Sequence, residues 1–132
     1  MEGQDQPQKM SFKTCITYPD QKGVTWRSVD MLLPDDDVFD VVADVLHEKN
    51  VNDVYFRQVT EHFKNGKTLD VYVGFGVQEV EHNKTMSNAL FNYFDTDEGF
   101  DVFGPCVVFA LYTDDIPVDF TPADFSLLFF GV

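Results

Sequence analysis

The chain is poor in positive charge. Nine lysines and arginines stand against 23 aspartates and glutamates in 132 residues, a formal net charge of −14. Such a surface repels a phosphate backbone instead of releasing its counterions, which excludes direct nucleic-acid binding as a first expectation. Cysteine is scarce as well. Cys15 and Cys106 both sit in strand-like apolar runs, so buried inert thiols are expected rather than a disulfide or a nucleophile. No Cys/His grouping has metal-ligand spacing, and no cofactor is expected. No apolar stretch approaches the ~20 residues that span a bilayer. The amino terminus lacks the pattern of a secretory signal, so a cytoplasmic or nuclear protein is expected. His47, His62 and His82 have no Ser, Cys or metal partner at local spacing. No catalytic constellation emerges, and the chain reads as no enzyme. A carboxyl-terminal Gly-Gly is missing too, which argues against a conjugated modifier.

Phenylalanine is what the chain does have. With 14 Phe and 44% hydrophobic residues in 132, it has the means to offset chain entropy and the length of one domain. Residues 1–9, "MEGQDQPQK", carry no apolar period and read as a disordered leader. From Met10 the apolar positions alternate through Phe12, Thr14, Ile16 and Tyr18, the period-two pattern of a half-buried strand. "PDQKG" at 19–23 supplies a turn, and "VTWRSVDMLL" at 24–33 completes a hairpin. The apolar phase slips between Trp26 and Val29, which predicts a bulge.

Asp35, Asp36 and Asp37 then offer carboxylates to a helix start. Val38, Val41, Val42, Val45 and Leu46 follow the spacing of one apolar face, which predicts a helix over about 35–49 ended by Asn50. "DVYFRQVTEHF" at 53–63 and "TLDVYVGFGVQEV" at 68–80 read as strands joined at Asn65-Gly66, the strongest short-range hairpin signal. Gly74 and Gly76 point to a bulge or a close backbone approach. The segment 87–104 reads as a short helical turn and a loop. Its Asp95, Asp97, Gly99 and Asp101 fall short of a calcium loop, because the glycine comes fifth and no Glu comes twelfth. "CVVFALYT" at 106–113 is a continuous apolar run suited to a strand buried on both faces. "DDIPVDFTPADFSLLFFGV" closes the chain as an irregular tail with apolar anchors.

This order is that of an α+β, ubiquitin-like β-grasp: a mixed sheet with one main helix and an enlarged middle hairpin. The domain would occupy 10–115, with an apolar and acidic tail at 116–132. "EHNKTMSNALFNYF" resembles the loop before the last strand of ubiquitin-like proteins. "CVVFALYTDDIPVDFTPADFS" resembles the last strand, acidic pair and Phe-Ser ending of the elongin B family, with Asp114-Asp115 and Phe125-Ser126 at matching places. The resemblance covers 10–126. The chain departs from it in lacking the glycine of that loop, in the length of 53–80 and in its short ending.

That resemblance implies a non-catalytic adaptor that pairs with elongin C or another Skp1-like subunit in a cullin–RING ubiquitin ligase, with no membrane or direct nucleic-acid role. It places the partner contact near Phe12, Thr14 and Ile16 of the first hairpin and along Ile116, Phe120 and Phe125 of the tail. From the residues alone the tail phenylalanines stand equally as core, folded back on their own sheet. Two other classes stay open. One is an acidic pathogen effector or nucleic-acid mimic that binds a basic host protein; the other is a self-associating structural domain.

Overall fold

The computed structural model describes residues 8–19, 24–33, 35–64, 66–76, 81, 83, 86–87, 102–114 and 116–130. In chain order its elements are β1 (Gln8–Thr17), β2 (Val24–Leu33), α1 (Val38–His47), β3 (Val54–Lys64), β4 (Lys67–Gly76), β5 (Cys106–Tyr112), β6 (Pro117–Val118) and α2 (Pro122–Phe130). The sheet runs β2-β1-β5-β4-β3, with β6 also paired to β5, and every pairing is antiparallel.

This overturns the β-grasp expectation. A β-grasp needs its first and last long strands parallel, whereas β1 and β5 pair antiparallel at Cys15↔Val108 and Thr17↔Cys106. The cause lies in the connections. Helix α1 joins β2 to β3 at opposite edges of the sheet, and the alternation of directions makes those two strands run the same way. The inner strands β1 and β4 therefore also share a direction, and the gap between them takes a strand antiparallel to both. There is no single main helix either, because α2 has nine residues to the ten of α1.

Local signals explain most elements. Asp37 caps α1, its carboxylate accepting the Phe39 N–H at 2.8 Å. Asn50 is left-handed at φ 68. Asn50 N–H donates to the His47 carbonyl and Val51 N–H to that of Leu46, the paired bonds of a Schellman ending. The β3–β4 hairpin closes from Lys64↔Lys67 through the Asn-Gly dipeptide, with Gly66 at φ 77. The middle region is thus one strand pair, Val54 to Gly76.

Both faces of the sheet are covered. On one, Phe12, Ile16, Val29, Met31, Val107, Phe109 and Leu111 meet Val38, Val42, Val45 and Leu46 of α1. Phe39, Phe56, Tyr72 and Phe109 add an aromatic cluster there, with centroids 5.1–5.8 Å apart. On the other, Cys15, Leu69, Val71, Val73, Cys106, Val108 and Ala110 pack with Met86, Val102, Phe120 and Phe125. Trp26 stacks on Phe120 at 6.3 Å and meets Phe125 edge-on at 6.2 Å. Each buried large side chain stabilises by roughly 1.5–3 kcal/mol.

Two covered faces also account for the apolar phase slip in β2. The β1–β2 register runs unbroken from Gln8↔Leu33 to Thr17↔Val24, with no bulge. Instead Trp26 packs on one core and Val29 and Met31 on the other. The register shift lies in β3, between Gln58 and Thr60, and places Val59 in a core. The segment after β5 is ordered where an irregular tail is expected: β6 pairs with Ala110 and Leu111, and Thr121 and Asp124 form a reciprocal cap for α2. Gln8 and Lys9 of the expected leader belong to β1, while 1–7 lie outside the described residues, as do most of 87–104 and the proposed turn after Pro19.

Gly74 is a close approach. A Cβ there would meet Phe56 Cε1 at 2.9 Å and Val107 Cγ1 at 3.0 Å. Gly74→Ala is expected to destabilise by about 1–3 kcal/mol in chemical denaturation through overpacking. Gly66→Ala has open space around it and is expected to lose only about 1 kcal/mol, through its positive φ.

Candidate protein-interaction surface

The six residues placed at a partner contact are mostly interior. Phe12, Thr14, Ile16 and Phe120 are at most 1% exposed and Phe125 is 6% exposed, while Ile116 is half-buried. Thr14 donates its hydroxyl to the Arg27 carbonyl at 2.9 Å, a bond within the first hairpin. Phe12 and Ile16 belong to the core under α1, whereas Phe120 and Phe125 belong to the opposite core. The structure therefore separates the two groups by the thickness of the sheet. The reason is physical: a strand covered on one face turns one set of side chains inward, and this sheet is covered on both.

The Asn-Lys-Thr stretch at 83–85 has a structural role at its first residue. Asn83 is fully buried, and its amide nitrogen donates to the Thr17 hydroxyl at 2.9 Å, the Thr17 carbonyl at 3.2 Å and the Gly104 carbonyl at 2.9 Å. Its side-chain oxygen accepts the Met86 N–H at 3.0 Å, starting a helical turn. Its backbone N–H donates to the Val102 carbonyl. Asn83 thus ties three separate segments together with every polar group satisfied. Lys84 and Thr85 lie outside the described residues.

The thiols are buried. Burial pushes Cys15 up to about 12. It pushes Cys106 up to about 12 as well, partly opposed by hydrogen bonds from Asn83 and Thr17. Both are free. Among the described residues no group of three His, Cys, Asp or Glu could hold a metal ion. No helix among them is long and apolar enough to cross a membrane.

Carboxylates outnumber cations on the described surface. Several of these groups are engaged. Asp36 accepts the Leu32 N–H at 2.8 Å, and Arg27 grips Glu48 with two nitrogens at 3.0 and 3.1 Å, which holds that carboxyl below its usual range. Ser11 donates to Asp30, and Lys9 lies 3.4 Å from it; together they lower the Asp30 carboxyl. Asp40 and Asp44 on the outward face of α1, and Asp53 before β3, make no ion pair among the described residues.

Asp40 and Asp53 share an open cleft of about 450 Å³ between α1 and the start of β3, with Phe39, His47, Tyr55 and Phe56. His47 donates from Nδ1 to the Val51 carbonyl at 2.8 Å. This cleft joins α1 to the strand that follows it in the chain, and no local motif announces it. Comparison with known protein families, with curated proteins and with solved structures yields no match to the chain.

Two outcomes test this account. Asn83→Ala is expected to cost about 1–3 kcal/mol for the orphaned groups, evenly across pH. Asn83→Asp adds a pH slope. A buried carboxyl holds its proton in the folded state, whereas the unfolded one releases it near ~3.9, so stability falls as pH rises above that value. Urea denaturation between pH 4 and 7 measures both. While folded, neither native thiol is expected to react with a disulfide reagent at pH 8, so any labelling should proceed only at the rate of global unfolding.

Proposed function

We propose that the chain is a non-catalytic interaction module whose acidic surface recruits a basic segment of a protein partner. The observation that carries this reading is the excess of surface carboxylates. Among the described residues Lys9 and Arg27 pair with Asp30 and Glu48 of the chain itself and Lys49 and Lys67 lie over the Tyr18 and Tyr112 rings, while Asp40, Asp44 and Asp53 stand without an ion pair. A net charge of −14 raises the rate and salt dependence of encounters with cations and suppresses binding to nucleic acid itself. Burial raises both thiols, which disfavours a cysteine nucleophile.

An elongin B-like adaptor of a ubiquitin ligase, paired with elongin C, is one member of this class. Its support is confined to the short stretches around Asn83 and Asp114, because the strand order is not that of a β-grasp. The acidic effector reading is supported more broadly, by the distribution of charge over α1 and the cleft beside it.

Retention on immobilised core histones and on immobilised duplex DNA tests the proposal. The chain should bind the histones, elute as salt rises and ignore the DNA. Asp40→Asn combined with Asp44→Asn should elute at clearly lower salt. Glu81→Gln, an exposed charge outside α1, should shift elution less. Equal elution of all three proteins would overturn the assignment of the binding surface to α1.

A further inference from the structure

Asn83, Lys84 and Thr85 spell Asn-X-Thr without a proline between, the acceptor sequence for N-linked glycosylation. It is the single such triplet in the chain. Acceptors of this kind belong on surface loops, because the sugar added there is bulky and needs water around it. Here the acceptor residue is 0% exposed.

Glycosyl transfer joins the asparagine Nδ2 to C1 of a sugar carried on a lipid diphosphate; the C1–O bond breaks, the lipid diphosphate leaves, and Nδ2 loses one of its two hydrogens. Asn83 has neither a spare hydrogen nor the room. Its Nδ2 donates to the Thr17 hydroxyl at 2.9 Å, the Thr17 carbonyl at 3.2 Å and the Gly104 carbonyl at 2.9 Å. A sugar on that atom would stand where Thr17 and Gly104 now meet it. The damage would reach the sheet, because β1 pairs with β5 from Cys15↔Val108 to Thr17↔Cys106, and Thr17 ends that short ladder. Cys106, opposite Thr17, is itself fully buried and hydrogen-bonded to both Asn83 and Thr17.

Order along the chain decides which event comes first. Gly104 follows Asn83 by 21 residues, so a chain threading into a glycosylating compartment presents the acceptor before its buried tie can be made. We infer that Asn83 is an acceptor which the native fold forbids: a chain that meets the N-glycosylation machinery is modified there before it folds, and the modified chain cannot reach this structure. The fold is thereby confined to compartments where that machinery does not act. This holds whether or not the acidic surface recruits a partner.

The test uses the full chain, made in bacteria and, behind a cleavable secretory signal, in mammalian cells. On the secretory route the wild-type chain should run as a heavier band that an endoglycosidase restores, and should be retained in the cell and sensitive to protease. Thr85→Ala removes the acceptor sequence but keeps Asn83, and should be unmodified, protease-resistant and released. Refolding isolates the effect of the sugar. The modified chain, trimmed to one sugar and unfolded in urea, should fail to regain protease resistance on dilution, whereas the bacterial chain of the same sequence regains it.

A sugar-bearing chain that refolds with the urea midpoint of the bacterial chain would overturn the exclusion. Release of a folded wild-type chain without sugar would overturn the order of events, since burial of Asn83 would then have outrun transfer. If Thr85→Ala also misfolds on the secretory route, the refolding pair decides alone, by the same criterion.

Discussion

Strand β5 carries apolar side chains on both of its faces, and each face needs its own cover. Val107, Phe109 and Leu111 point to one core, while Cys106, Val108 and Ala110 point to the other. Because β5 is central, flanked by β4 on one side and by β1 and then β6 on the other, its demand extends to the whole sheet. Helix α1 satisfies one face. The other is covered by Met86, Val102, Phe120 and Phe125, from separate stretches of the chain. Polar fasteners such as Asn83 and the Thr121–Asp124 cap hold those stretches in place on this face.

Charge follows the same division. The interior polar groups are neutral amides and hydroxyls that find partners, with Asp124 the one buried carboxylate named among the described residues and already bonded to Thr121. Net charge is carried on the surface, where it costs little and governs encounter rather than fold. The surface carboxylates nearest the chain's own cations have been drawn into clamps that fasten β1 to β2 and β2 to α1. Asp40, Asp44 and Asp53, at α1 and the start of β3, are among those left over, and the binding reading rests on them.

Elements with local causes were legible in the sequence. The first hairpin, the helix with its Asp37 and Asn50 ends, the Asn-Gly hairpin and the doubly buried β5 each follow from periodicity or turn chemistry confined to a few residues. Strand order and direction were not, because an antiparallel β5 and a parallel one carry the same apolar run. Helix α2 was missed since "PADFSLLFF" is apolar almost all round and shows no helical period, although Thr121, Pro122 and Asp124 spell a capping signal. The role of Asn83 as a buried tie was not legible either, because its amide finds Thr17 and Gly104 only once the fold brings them together. Of the site, the acidic character of α1 was visible, but the meeting of Asp40 with Asp53 and Tyr55 depends on how α1 lies across the sheet.

The position of β5 in the chain has a consequence for synthesis. Four strands and a helix emerge before residue 106, yet the strand that joins their two hairpins comes after them. Until then β1–β2 and β3–β4 present inner edges and apolar faces without a neighbour, and two-stranded hairpins are marginal alone. A ribosome-bound chain at that stage holds the parts of a sheet that cannot close. Its hazard is edge-to-edge association with other nascent chains, and its folding should be slow in the manner of proteins dominated by long-range pairing.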